Sequence, residues 1–269
     1  MKATFLLVVL SISAASGDQV VVSPHLDRAG NTLVTSPFLI DPLNSMRYQQ
    51  VYAASDFGAI PTGGAFITGI AFSADATAQL PFIAIVRSIQ ISFSTTLGAP
   101  DALNTMFSQN LGPDATVVLE PRALGLSALP GSGTSFGMEI PFDHPFFYNP
   151  AVGNVLMDVK NYMGLDPLPI GFTFPGPMDA EQSGDSISAL ASLDVNALVG
   201  VQTTRGLVTR FMIAPVPEPG SLSLMLLGMF GPGVFWCSRT RRCGSVGNES
   251  RAPHGVNPPA ASVPIRRVG

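Results

Sequence analysis

The chain has 269 residues, of which only 12% are charged, and a formal charge of −4. Between Asp18 and Pro215 the balance is more acidic, with seven basic residues against sixteen acidic ones and a net formal charge of −9. Such a surface repels phosphate backbones and argues against nucleic-acid binding.

Taken from its start, the chain opens with Lys2, an apolar run from Ala3 to Ile12 and the small residues Ser13-Ala14-Ala15-Ser16-Gly17. That is the layout of a secretory signal peptide over residues 1–17, with export as its consequence. Residues 18–215 are long enough for one exported domain with its own core. Both cysteines, Cys237 and Cys243, lie beyond it, so this domain folds without disulfides, as a core of that size can. The five residues between them fit no zinc or redox spacing.

Within residues 18–215 apolar side chains recur at every second position, in short segments parted by glycine and proline. This period indicates strands. Met46 to Tyr52, Ile67 to Phe72, Ser88 to Thr95, Thr116 to Leu119, Ser135 to Phe142, Val155 to Val159, Ile170 to Phe174 and Gly206 to Ile213 are the expected strands. In Ser88 to Thr95, Ile89, Ile91 and Phe93 form the buried face, and Ser88, Gln90, Ser92 and Ser94 the wet one. Phe136, Met138, Ile140 and Phe142 repeat the device. Asp185 to Leu198, with Ile187, Leu190, Leu193 and Leu198, is compatible with one short helix. Eight or more short strands favour an all-β fold, an antiparallel, jelly-roll-like β-sandwich.

Candidate chemistry is sparse. His25 lies near the processed N-terminus, and His144 follows Asp143 in PFDHPFFY. Neighbouring strand residues point to opposite faces, so Asp143 and His144 make a poor dyad, and His144 is read as a turn residue before Pro145. Ser132 lies between glycines without the strand-to-helix setting of a nucleophile elbow. Asp75, Asp101, Asp114 and Asp143 resemble calcium ligands on loops in type but not in spacing, and Asx turns explain them. Tyr48, Tyr52, Phe146, Phe147 and Tyr148 are candidates for an aromatic platform for sugars or, by their alternation, for core packing. The expectation is therefore no catalytic site, no metal and no cofactor. A carbohydrate-binding module is the alternative, with a secreted hydrolase behind it.

The C-terminal part joins Val216-Pro217-Glu218-Pro219 to an uncharged run from Ser221 to Ser238, followed by Arg239, Arg241 and Arg242. Residues 221–238 suffice for one transmembrane helix. The arginines mark its cytoplasmic side, which places the preceding domain outside. Pro217 and Pro219 keep Glu218 in an extended, accessible peptide. Residues 243–269 are rich in Pro, Gly, Ser and Arg and read as a disordered tail.

VPEPGSLSLMLLGMFGPGVFWCSRTRR at 216–242 resembles the PEP-CTERM sorting signal of Gram-negative bacteria. The resemblance implies exosortase, a membrane-embedded cysteine transpeptidase-like enzyme, as partner, with Val216, Pro217, Glu218 and Pro219 as the recognised motif. It implies an inner-membrane-tethered precursor, then a cell-surface or extracellular product, released or attached to surface polysaccharide. The sparse candidate chemistry adds the expectation of a structural or adhesive, non-enzymatic role in extracellular matrix. A second resemblance covers Met46 to Asn161. MRYQQVYAASDFG, IQISFSTT and PFFYNPAVGNVLMDVKN are similar, in that order, to a β-sandwich ectodomain recurrent among PEP-CTERM proteins, to which it adds fold and location but no activity.

Overall fold

In a computed structural model of the chain, the described residues are 18–22, 30–38, 45–75, 77, 82–128, 136–162, 165–166, 178–182 and 186–216. The chain divides into two compact units, Met1–Val216 and Pro217–Gly269, and every described residue lies in the first. The signal segment 1–17, Pro217, Glu218, Pro219, the span 221–238, Arg239, Arg241, Arg242, the tail 243–269 and the strand expected over Ile170 to Phe174 all lie outside the described residues. So do His25 and Ser132. Among the described residues no helix is long and apolar enough to cross a membrane.

The first unit is all-β. Its strands are β1 (Asp18–Val22), β2 (Thr32–Val34), β3 (Met46–Tyr52), β4 (Ala65–Phe72), β5 (Phe82–Thr96), β6 (Thr116–Ala128), β7 (Met138–Tyr148), β8 (Asn154–Asn161), β9 (Leu165–Asp166), β10 (Met178–Gln182), β11 (Ile187–Ser192), β12 (Val201–Thr203), β13 (Arg205–Leu207) and β14 (Thr209–Pro215). They form a four-stranded sheet in the order β1-β14-β4-β7, a three-stranded sheet β13-β10-β2, and a larger sheet β12-β11-β3-β8-β5-β6 with β9 also against β5. Every pairing is antiparallel.

The alternation read from the sequence sets which sides meet. Ile89, Ile91 and Phe93 of β5, Met157 and Val159 of β8, and Tyr48 and Tyr52 of β3 share one core with Ile67 and Ile70 of β4, Ile140 and Phe146 of β7, and Phe211 of β14. Rings from the two larger sheets touch edge to face, Tyr52 with Phe211 at 4.9 Å and Phe93 with Phe146 at 5.8 Å. Each such pair adds about 0.5–1.5 kcal/mol beyond the burial of its area, so these crossings fix how one sheet lies on the other.

Several expectations change. β3, β8 and β11 are buried on both faces, because the segment 97–115 folds across the outer side of the larger sheet and covers Val51, Leu156 and Leu190 with Leu103 and Phe107. Ser94, expected on a wet face, is buried there, and its hydroxyl accepts the Gly112 N–H at 3.1 Å. The helix allowed over Asp185 to Leu198 is instead β11 followed by turns. Ile187 faces the main core and Leu190 the second one. Their three-residue spacing thus reflects two buried faces of a strand rather than one face of a helix.

The strand expected over Gly206 to Ile213 splits at Val208, with β13 and β14 in different sheets. A buried side chain spans the break. Gln50 Oε1 accepts the Leu207 N–H at 2.8 Å, and Gln50 Nε2 donates to the Leu207 carbonyl at 2.8 Å. The side-chain amide serves Leu207 as a strand partner would. Tyr48 donates its hydroxyl to the same Oε1 at 2.5 Å.

Candidate functional site

Several polar residues of the segments Met46–Asn161 hold the fold together. Arg47 donates twice to Asp158, from Nε at 3.1 Å and Nη2 at 2.8 Å, and its guanidinium lies over the Phe107 ring at 4.6 Å. Both partners of that ion pair are largely buried. Gln49 donates to the Phe107 carbonyl and accepts from Asn110, which locks the segment 97–115 down. Asn154 accepts the Ala54 N–H and donates to the Gly98 carbonyl. Successive residues of β3 therefore serve opposite sides, with Gln49 holding the outer layer and Gln50 the strand break in the core.

His144 sits within β7 rather than in a turn, exposed, because the strand runs on to Tyr148 through Pro145 at an edge of its sheet, where proline costs no ladder bond. Asp143 is turned to Arg122 of β6 at 2.5 Å and accepts the Glu120 N–H at 3.1 Å. The Glu120 N–H first, then Arg122, hold its carboxyl below the ordinary range. Solvent screens an exposed pair of this kind, so it adds little to stability. Asp75 closes a turn on the Thr77 N–H, and Asp114 accepts the Thr95 N–H. Asp101, at φ 60°, lies beside Ser188, whose hydroxyl accepts the Asp101 N–H. Among the described residues no group of three or more His, Cys, Asp or Glu side chains is placed to hold a metal ion. Of the aromatic candidates, Tyr48, Tyr52, Phe146 and Tyr148 are buried and only Phe147 is exposed, so they do not form a platform.

One buried carboxyl carries unspent chemistry. Asp179 of β10 is fully buried beside Glu181 and Asp75. Its Oδ1 accepts the Gly30 N–H at 2.8 Å, while Oδ2 has no hydrogen-bond partner among the described residues. Burial first, then the neighbouring Asp75 and Glu181 charges, push its pKa up to about 7 from an ordinary 3.8. The raised folded-state value means that the neutral acid stabilises the fold below about pH 4, and that this contribution is lost as the pH climbs through 7. Asp179→Asn is expected to melt several degrees higher than wild type at pH 8 and to match it at pH 4. A wild-type melting temperature that does not fall between pH 4 and 7, in scanning calorimetry, would count against a neutral Asp179.

Sequence reasoning missed a surface feature. Around the turn from Leu193 to Gly200, a cleft of about 530 Å³ is lined by Met46, Ala191, Ser192, Leu193, Val199, Gly200 and Val201. Val201 of its lining is 77% exposed and Leu198, in the same turn, 76%, and Met106 bridges to Val199 from the segment 97–115. Ser192 pairs with Arg47 at the start of β3, so the cleft lies at one end of the larger sheet. Leu193 and Leu198 were the available signal, absorbed into the helical spacing.

The chain leaves the domain at the other end. Pro215 pairs with Ala65, and Ala65 with Tyr148, and Tyr148 is tied to the Gly153 carbonyl just before β8. β14 is an inner strand, between β1 and β4, and Val216 follows it exposed. Residues 215–242 match the family model of the PEP-CTERM protein-sorting motif. The chain carries a PEP-CTERM sorting signal. No curated protein and no solved structure matches the chain. The PEP-CTERM motif implies an exported protein, sorted by exosortase from a membrane-anchored precursor. It begins on the last residue of β14, with no linker between fold and signal. The β-rich domain is consistent with the ectodomain that Met46 to Asn161 resembles.

Proposed function

We propose that this is a surface or extracellular-matrix protein with a structural or adhesive, non-enzymatic role, exported by a signal peptide at 1–17 and held by a transmembrane helix at 221–238 until exosortase acts. Its domain is read as a jelly-roll-like β-sandwich. The observation that carries the reading is the PEP-CTERM match at residues 215–242, joined directly to an inner strand. Arg239, Arg241 and Arg242 orient the helix, and Val216, Pro217, Glu218 and Pro219 are the segment that the enzyme reads.

The non-enzymatic part is supported by where the polar groups go. Arg47, Gln49, Gln50, Asn154 and Asp158 bond within the scaffold, and His144 stands exposed beside an Asp143 engaged by Arg122. The apolar cleft, with few convergent polar groups, suits a binding surface better than acid–base chemistry. Extracellular polysaccharide is the proposed surrounding of the released product. The test compares host cells with and without exosortase. The product is expected to shorten and leave the membrane fraction only where the enzyme is present. Full length and membrane association in both strains would leave a plain C-terminal anchor.

A further inference from the structure

The end of the domain from which the chain departs presents apolar tips. Leu97, directly after β5, is 90% exposed, Val152, in the turn between β7 and β8, is 63% exposed, and Phe147 and Val216 are exposed beside them in the strand order. They share one end because Thr96 pairs with Asn154, Ala65 with Tyr148 and Pro215 with Ala65. The turn is fixed, with Val152 N–H donating to the Asn149 carbonyl and Asn154 Nδ2 to the Gly98 carbonyl, so the tips are held by a rigid rim. Loops 53–64, 97–101 and 149–153 contain no lysine or arginine and two aspartates, Asp56 and Asp101. An anionic surface finds no basic side chain there to draw it.

Only residues 217–220 separate Val216 from the uncharged run that begins at Ser221. Four extended residues reach at most roughly 13–14 Å, and a headgroup layer of about 5–8 Å takes up half of that, so the end of the domain stays within several Å of the headgroups. We propose that, in the tethered precursor, this end of the domain rests on the bilayer, with Leu97, Val152 and Phe147 inserted among the headgroups of zwitterionic lipids. The inference rests on the membrane-tether reading above. Its driving force is removal of apolar area from water, without the basic residues that draw most peripheral proteins to anionic lipid. The consequence is an orientation: the apolar cleft, at the opposite end of the larger sheet, faces away from the membrane.

The test uses the full chain with Cys237→Ser and Cys243→Ser, labelled with an environment-sensitive fluorophore at Val152→Cys or, as the reference, at Val201→Cys beside the cleft. Each is reconstituted into phosphatidylcholine vesicles containing headgroup-level spin-labelled lipid. Quenching at position 152 is expected to exceed that at 201 at least about threefold. Equal quenching at both positions, or more at 201, in protein that floats with the vesicles overturns the docking and leaves the tether standing. Protein that does not float with the vesicles overturns both.

Discussion

Replacing Gln50 with Leu is expected to destabilise the domain by about 3 kcal/mol or more, although the substitution keeps the volume and adds apolar character. Gln50 satisfies both backbone groups of Leu207 and receives the Tyr48 hydroxyl. Gln50 and Leu207 are fully buried and Tyr48 nearly so. Leaving a buried donor or acceptor without a partner costs about 1–3 kcal/mol for each group, and the Leu207 N–H and the Tyr48 hydroxyl lose theirs at once, while the Leu207 carbonyl keeps the Thr209 hydroxyl as a donor. Relaxation at Val208 offsets part of this, which sets the expectation at about 3 kcal/mol, inside the roughly 2–6 kcal/mol that the two groups would cost together. A domain of this kind has roughly 5–15 kcal/mol of stability in all, so the loss is large. Urea unfolding of the purified protein measures it as a fall in midpoint at constant slope. A change below about 1 kcal/mol would mean that the β13–β14 break is held by packing alone. The core ring contacts, Tyr52 with Phe211 above all, would then be the elements that join the sheets.

The same residue shows where the sequence could be read and where it could not. β3 falls on the expected Met46 to Tyr52 because strong β-formers pack it from both sides. β5, β7 and β8 were found by their alternation, although β5 starts six residues earlier than expected, at Phe82. The break at Val208 has no local signal, since Gly206 to Ile213 alternates as one strand. It exists because an amide 157 residues away in sequence completes Leu207. β10, MDAEQ, offers no apolar period. Its Asp179 and Glu181 are buried, an arrangement that composition argues against. Of the candidate site, the sorting signal was legible because its information is linear: an acidic residue between prolines, an uncharged run, then arginines. The cleft was not, because it is made by a turn and by the segment 97–115, which the local pattern does not bring together.

Glu218→Ala is expected to abolish processing of the PEP-CTERM signal and to accumulate full-length, correctly oriented precursor. Glu218 is the only charged residue from Phe211 to Gly220, so no neighbour can replace its carboxylate as the ionic handle for exosortase. The ordered domain closes with β14 pairing as far as Pro215 against Ala65, and Val216 is exposed. Glu218 follows the last strand in sequence, and equal thermal melting of Glu218→Ala and wild type, measured alongside, would show that a processing defect reports recognition rather than misfolding. Glu218→Asp keeps the charge and is expected to be processed more slowly than wild type but detectably. Removing Arg239, Arg241 and Arg242 acts through another term. Each arginine resists transfer across hydrocarbon by about 2.5–3.5 kcal/mol, and on the proposed reading a span without them is expected to lose its orientation. The product is then expected to be misplaced or released early, rather than retained as oriented precursor. Pulse-chase labelling with protease protection of membrane vesicles separates the two defects. Processing of Glu218→Ala at the wild-type rate would show that the enzyme reads the span and its arginines without the acidic residue, and Pro217, Glu218 and Pro219 would be left as a spacer.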